Sequence, residues 1–173
     1  MISMSSTYKN NSHQKRYKVL PAVLLLFCLN AAVGQSKYVR KFRPLADSLA
    51  LAYGIPASVM LGVAIIESGS GTSRNCRLLN NHFGIVGKNK VLKTHGVKTK
   101  YKQYPNARAS YIDFCRLLSK RKYYTRLKGN KDYRAWTTAI SKNNYSEIPV
   151  EWKKRVDATI QKNKLSSHLP KKD

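Results

Sequence analysis

Glu67 is the residue whose type and position most clearly suit it to chemistry. It stands at i+4 from Val63 and i+7 from Met60, on the apolar face of the most hydrophobic helical stretch in the chain. It also falls in the last turn of that stretch, where the helix dipole disfavours a negative charge. Desolvation and the dipole both favour the protonated carboxyl, the form a general acid needs near neutral pH. A capped or ion-paired glutamate at a helix end is the other reading of the same spacing. The remaining acids, Asp47, Asp113, Asp132, Glu147, Glu151, Asp157 and Asp173, read as helix-surface or terminal charges. No Asp or Glu lies between Glu67 and Asp113, so the segment after Glu67 supplies no second carboxylate. Asp113 sits off the apolar face of its own helix and reads as structural.

The elements that must hold Glu67 follow from periodicity. Leu45, Leu49, Ala52 and Tyr53 predict a helix over about residues 38–53, stopped by Gly54. Pro56 opens the Glu67 helix, and Gly69 and Gly71 end it. Nothing from Thr72 to Pro105 has helical spacing. There Val97, Thr99, Tyr101 and Gln103 alternate with lysines as a strand, and His95-Gly96 would turn Val91-Leu92 back onto it as a hairpin. Helical spacing returns in Tyr111, Phe114, Cys115 and Leu118, then in Tyr133, Trp136, Thr137 and Ile140. Pro149 starts a last helix that carries Trp152, Val156 and Ile160 on one face. Helical runs with one separate hairpin predict an α+β fold, mainly α.

Thirty-three basic residues against eight acidic ones give the 173-residue chain a net charge of +25, with 42% apolar residues to build a core. That composition excludes collagen, coiled-coil and disulfide scaffolds, and points to an anionic partner. Residues 1–18 carry Lys9, Lys15, Arg16 and Lys18, and an apolar run follows from Val19 to Val33 before Gly34. This is the pattern of a signal peptide over 1–34, leaving a domain over 35–165 and a basic tail over 166–173. The run is too short for a membrane anchor, so export to the periplasm, the cell envelope or the medium is expected, with no stable span after cleavage. Removing four bases and no acid leaves +21. Cys76 and Cys115 either pair across that domain or stay as buried thiols. They have no histidine at metal-ligand spacing, so neither a metal nor a cofactor is expected. No nucleic-acid motif appears among the dispersed bases.

Two motifs in order carry a resemblance. Glu67, Ser68, Gly69, Gly71 and Ser73 match a Glu-Ser-Gly-x-Gly-x-Ser pattern, and Asn80, Asn81, Phe83, Gly84 and Ile85 match the Asn-Asn-x-Phe-Gly-Ile that follows it. Tyr104, the Ser110–Phe114 stretch and Tyr145 before Pro149 extend the likeness over about residues 45–165. The chain resembles the bacterial peptidoglycan glucosaminidases of glycoside hydrolase family 73, which include flagellar muramidase-like domains and autolysins. The resemblance implies a lysozyme-like helical domain with a small β-lobe over a sugar groove. It implies hydrolysis of the β-1,4 bond between N-acetylglucosamine and N-acetylmuramic acid, with Glu67 protonating the leaving oxygen. Peptidoglycan glycan strands are then the partner, with other anionic envelope polymers beside them. By the same correspondence Tyr145 lines the site and positions or polarises the substrate's N-acetyl group, or else is a tyrosine buried between helices. Asn80, Asn81 and Phe83 would edge the groove through amide hydrogen bonds and an aromatic platform, or form a turn and a core aromatic. Tyr104 is a candidate subsite residue, and His82 is expected at an exposed turn. A non-catalytic glycan-binding protein of the same fold is the alternative function.

Overall fold

The computed structural model describes the backbone of residues 21–166 and the side chains of residues 37–166. The expected signal peptide (1–34) and tail (166–173) lie outside these described residues, apart from helical backbone from Pro21 and Ser166 itself. The described elements are α1 (Pro21–Tyr53), α2 (Ala57–Ser68), α3 (Arg74–Leu79), α4 (Val91–His95), α5 (Ala107–Ser119), α6 (Tyr124–Leu127), α7 (Tyr133–Lys142) and α8 (Pro149–Lys162). None of these helices is long and apolar enough to cross a membrane. The architecture is mainly helical and lysozyme-like.

α2 is buried without interruption from Ser58 to Ile65, and a helix that is apolar all round must lie inside the others. It packs against α1, α7 and α8. Gly69, at φ 56°, closes it with a left-handed turn whose N–H donates to the Ile65 carbonyl. The approach of α8 depends on Gly62, where a Cβ would stand 2.6 Å from Ile160 Cγ1. The apolar faces of α5, α7 and α8 point inward as their spacing predicts, with Trp136, Tyr111 and Phe114 fully buried. Burying each such side chain contributes roughly 1.5–3 kcal/mol.

The region between α2 and α5 departs from the expectation. It holds two short helices and, among the described residues, a single antiparallel bridge, Val86↔Tyr101, rather than a hairpin. The predicted strand pairs with the segment before α4: Gly87 N–H donates to the Lys100 carbonyl (2.9 Å) and Lys102 N–H to that of Ile85 (2.8 Å). Asn89 Nδ2 donates to the Thr99 and Tyr101 carbonyls at 3.0 and 2.9 Å, occupying acceptors a partner strand would need. Val91-Leu92 instead begin α4, where Val91 is fully buried and Gly96 (φ 64°) ends the turn. Short apolar pieces carry no length signal, so tertiary burial decided their conformation. Ser73 caps α3 by accepting from Cys76 N–H at 3.2 Å, a cap that spacing alone did not reveal.

Cys76 and Cys115 do not pair. Both are free and buried, Cys115 Sγ facing Met60 Sδ at 3.4 Å and Cys76 Sγ lying 3.6 Å from His82 Nδ1.

Candidate active site

α2 delivers Glu67, half-buried, to its C-terminal end, and α8 brings Trp152 across it. The indole Nε1–H donates to Glu67 Oε1 at 2.7 Å. Burial is the largest influence on this carboxyl and pushes it above the ordinary range; the indole hydrogen bond and the Arg155 charge oppose that and only partly offset it. The other oxygen faces Gly84, where a Cβ would stand 3.0 Å from Oε2. Gly84 also has φ 66°, so only glycine satisfies both the backbone and the close approach. Tyr101 Cε1 lies 3.9 Å from the same Cβ position, which puts that ring beside Glu67.

Tyr145 joins the group. Its ring centroid is 5.2 Å from Trp152 and 5.9 Å from Phe114, and its hydroxyl donates to the Phe83 carbonyl at 2.6 Å. Burial, then the Glu67 charge, holds the phenol far above its usual range, so it stays a neutral donor. With its proton committed to Phe83, the oxygen keeps lone pairs that can accept an N–H.

The other expected site residues fall into a supporting layer. Asn81 is buried; its Nδ2 donates to the Ile85 and Lys102 carbonyls, both at 2.8 Å, and its Oδ1 accepts from Phe83 and Ile85 N–H. Phe83 is 1% exposed and stacks on Phe114 with centroids 4.2 Å apart and planes at 8°. Its ring therefore has no face for a sugar, and an aromatic platform at Phe83 is set aside in favour of a core aromatic. Asn80 ends α3 at φ 51° and donates to the Tyr104 carbonyl at 3.2 Å. Tyr104 is buried and its hydroxyl donates to Asp113 Oδ2 at 2.7 Å, which Lys102 Nζ also meets at 2.7 Å. Burial would raise the Asp113 carboxyl, but hydrogen bonds from Lys102 and Tyr104 and the charges of Lys102 and Arg116 outweigh it and hold it below its usual value. Asp113 is thus an ionised anchor tying the Tyr101–Tyr104 segment to α5.

His82 is buried rather than at an exposed turn. Its Nδ1 is 2.7 Å from the Tyr38 hydroxyl, which is 3.0 Å from that of Tyr111. Burial, then the Lys41 charge, lowers its pKa to about 4, so it is neutral at pH 7. Sequence reasoning passed over Trp152 and Gly84 as site residues. A buried indole N–H needs an acceptor, which was the available signal for the first; the second lay inside the Asn80–Ile85 motif. A cavity of ≈ 420 Å³ beside Leu51, Gly54, Ile55 and Leu165 opens at the start of α2, roughly 15 Å along the helix from Glu67.

Sequence comparison with curated proteins returns no match. Solved structures share the fold. The chain superposes on an N-acetylmuramoyl-L-alanine amidase from Staphylococcus aureus with TM-score 0.66 at 22% identity, covering 81% of this chain and 45% of that one. The catalytic domain of the autolysin Auto from Listeria monocytogenes gives 0.65 at 19%, covering 86% and 98%. A type VI secretion effector–immunity complex from Pseudomonas protegens gives 0.57 at 19%, covering 76% and 95%. The chain spans less than half of the amidase chain. The family model of the glucosaminidases, described as mannosyl-glycoprotein endo-beta-N-acetylglucosaminidase, matches residues 43–165, a range that includes Glu67, Gly84, Tyr145 and Trp152. Glu67, half-buried and with its carboxyl raised above the ordinary range, lies within that match, and the chain belongs to the glucosaminidase family.

Proposed function

We propose that the chain is an exported peptidoglycan hydrolase that cleaves the β-1,4 bond between N-acetylglucosamine and N-acetylmuramic acid, with Glu67 as general acid. The observation that carries the reading is the Glu67 carboxyl itself, half-buried at the end of α2, raised above its ordinary range by that burial and aimed by the Trp152 indole at 2.7 Å. Its proton passes to the glycosidic oxygen as the bond to the anomeric carbon breaks, which lowers the barrier to an oxocarbenium-like state. The fold shared with an autolysin catalytic domain and the basic surface support a cell-wall substrate. The basic and apolar pattern of residues 1–34 supports export.

The second catalytic group comes from the substrate in this reading. Asp113 is committed to Lys102 and Tyr104, and residues 68–112 contain no acid. The substrate's N-acetyl oxygen then attacks the anomeric carbon as the leaving group departs, and water opens the resulting ring. Tyr145 accepts the acetamido N–H and so directs the carbonyl oxygen inward.

The test is clearing of a peptidoglycan zymogram by the purified chain, followed by mass spectrometry of the fragments. Reducing-end N-acetylglucosamine supports the proposal. A reducing-end muramic acid would make the enzyme a muramidase, an anhydro-muramic end a lytic transglycosylase, and no clearing at all a glycan-binding protein.

A further inference from the structure

A second cavity, ≈ 400 Å³, opens between α1 and α3 on the side of the loop that follows Glu67. Lys37 and Lys41 from α1 and Arg77 from α3 line it, and all three are exposed. No carboxylate lines it, and none of the three forms a salt bridge with a described residue. Lys37 and Lys41 are one turn apart on the same helix, a like-charge pair that costs stability unless an anion sits between them. The inner wall is uncharged and largely aromatic, built from Tyr38, Phe42, His82 and Cys76. The geometry is that of a cationic mouth over a neutral wall, in the size range of a ligand pocket.

Its place relative to Glu67 sets the ligand. Ser70 and Gly71 line the cavity, and the Gly71 N–H donates to Ser68 Oγ at 2.8 Å, so the wall is continuous with the end of α2. Three peptide units separate Glu67 from Ser70, at most about 11 Å between their Cα atoms. That separation lets one extended molecule reach Glu67 and place an anion here.

We propose that this cavity binds a carboxylate of the peptide stem carried by the glycan strand, with Arg77 as a bidentate partner and Lys37 and Lys41 as point charges. This rests on the peptidoglycan reading and adds to it a preference for strands with charged stems.

The experiment is co-sedimentation of the full chain carrying Glu67→Gln, which binds without turnover. The probes are sacculi stripped of other polymers, the same sacculi with stem carboxylates amidated, and amidated sacculi still bearing a phosphodiester polymer. The expected result is binding about tenfold tighter to the carboxylated than to the amidated sacculi. Adding Lys37→Ala, Lys41→Ala and Arg77→Ala should erase that difference. A control of equal charge, Lys120→Ala, Lys122→Ala and Arg126→Ala, should keep it. Equal losses in the two triple variants, or no discrimination by the parent, would overturn the site. A preference seen only with the phosphodiester polymer would overturn the carboxylate assignment. Hydrolysis of the stripped sacculi by the unsubstituted chain is scored separately: no turnover with carboxylate-dependent binding sinks the hydrolase reading and leaves the site standing.

Discussion

The Trp152 indole donates to the Glu67 carboxylate across the α2–α8 interface at 2.7 Å, 85 residues apart in the chain. The contact depends on the close passage of the two helices at Gly62 and Ile160. It fixes one oxygen of the carboxyl and leaves the other against Gly84. The geometry of the proposed acid is therefore set by helix packing.

Glu67→Gln should reduce turnover by about 10²–10⁴-fold, the range for loss of a positioned acid. Thermal stability at pH 7 should hold or rise. The raised carboxyl in the folded state makes its ionised form a cost that is absent below the unfolded pKa and develops as pH rises through the folded one. Melting curves at pH 7 and near pH 4 check this, since the variant's advantage should vanish in acid. Full activity would sink the acid role.

Trp152→Phe keeps an aromatic in the interface and removes the hydrogen bond that favours the ionised Glu67. The Glu67 carboxyl should rise further, and the alkaline limb of the kcat profile should move to higher pH. Turnover should also fall because the oxygen loses its orientation. An alkaline limb that stays in place would show that the indole does not tune the acid.

Gly84→Ala places a methyl 3.0 Å from Glu67 Oε2 on backbone at φ 66°. The backbone conformation alone should cost roughly 1–2 kcal/mol. Circular-dichroism melting should show that loss, and kcat should drop together with it as the carboxyl is displaced. A stable, fully active variant would remove Gly84 from the site.

Asp113→Asn separates an anchor from a second catalytic acid. Because the folded carboxyl is held low, its contribution is present above the unfolded pKa and lost as pH falls through the folded one. The variant should melt lower at pH 7 and approach the parent in acid, with kcat changed only a few-fold. A loss of about 10²-fold or more in kcat at unchanged stability would make Asp113 part of the chemistry.

His82 supplies a test of the opposite sign. Its pKa falls from 6.5 to about 4 on folding, so the unfolded chain binds the extra proton between those values. Stability should rise with pH across that window, and His82→Phe should flatten the rise in urea titrations at pH 4.5, 5.5 and 6.5.

Periodicity was enough to place α5, α7 and α8, because each buries one regular face and the spacing of apolar residues records it, while α2, buried all round, was marked by its continuous apolar run between Pro56 and Gly69. Gly54 and Gly69, both at positive φ, and Pro149 at the start of α8 mark helix ends for reasons of backbone geometry that a single residue type carries. The scarcity of acids made Glu67 stand out, and its half-burial on α2 was readable from Met60 and Val63.

What the chain order could not convey was which distant groups would meet. Val91-Leu92 became helix because Val91 found a core position, although its local pattern allowed a strand. Phe83 and Asn81 fit a sugar-groove motif, yet one stacks on Phe114 and the other spends its amide on backbone carbonyls. Trp152 read as one more buried face residue until α8 crossed α2. Residue types and short-range spacing thus determined the helices and the carboxyl most suited to protonate a leaving group. Tertiary packing alone decided its hydrogen-bond partner, its glycine neighbour and the cationic cavity beside it, because those contacts join segments whose separation leaves no periodic trace.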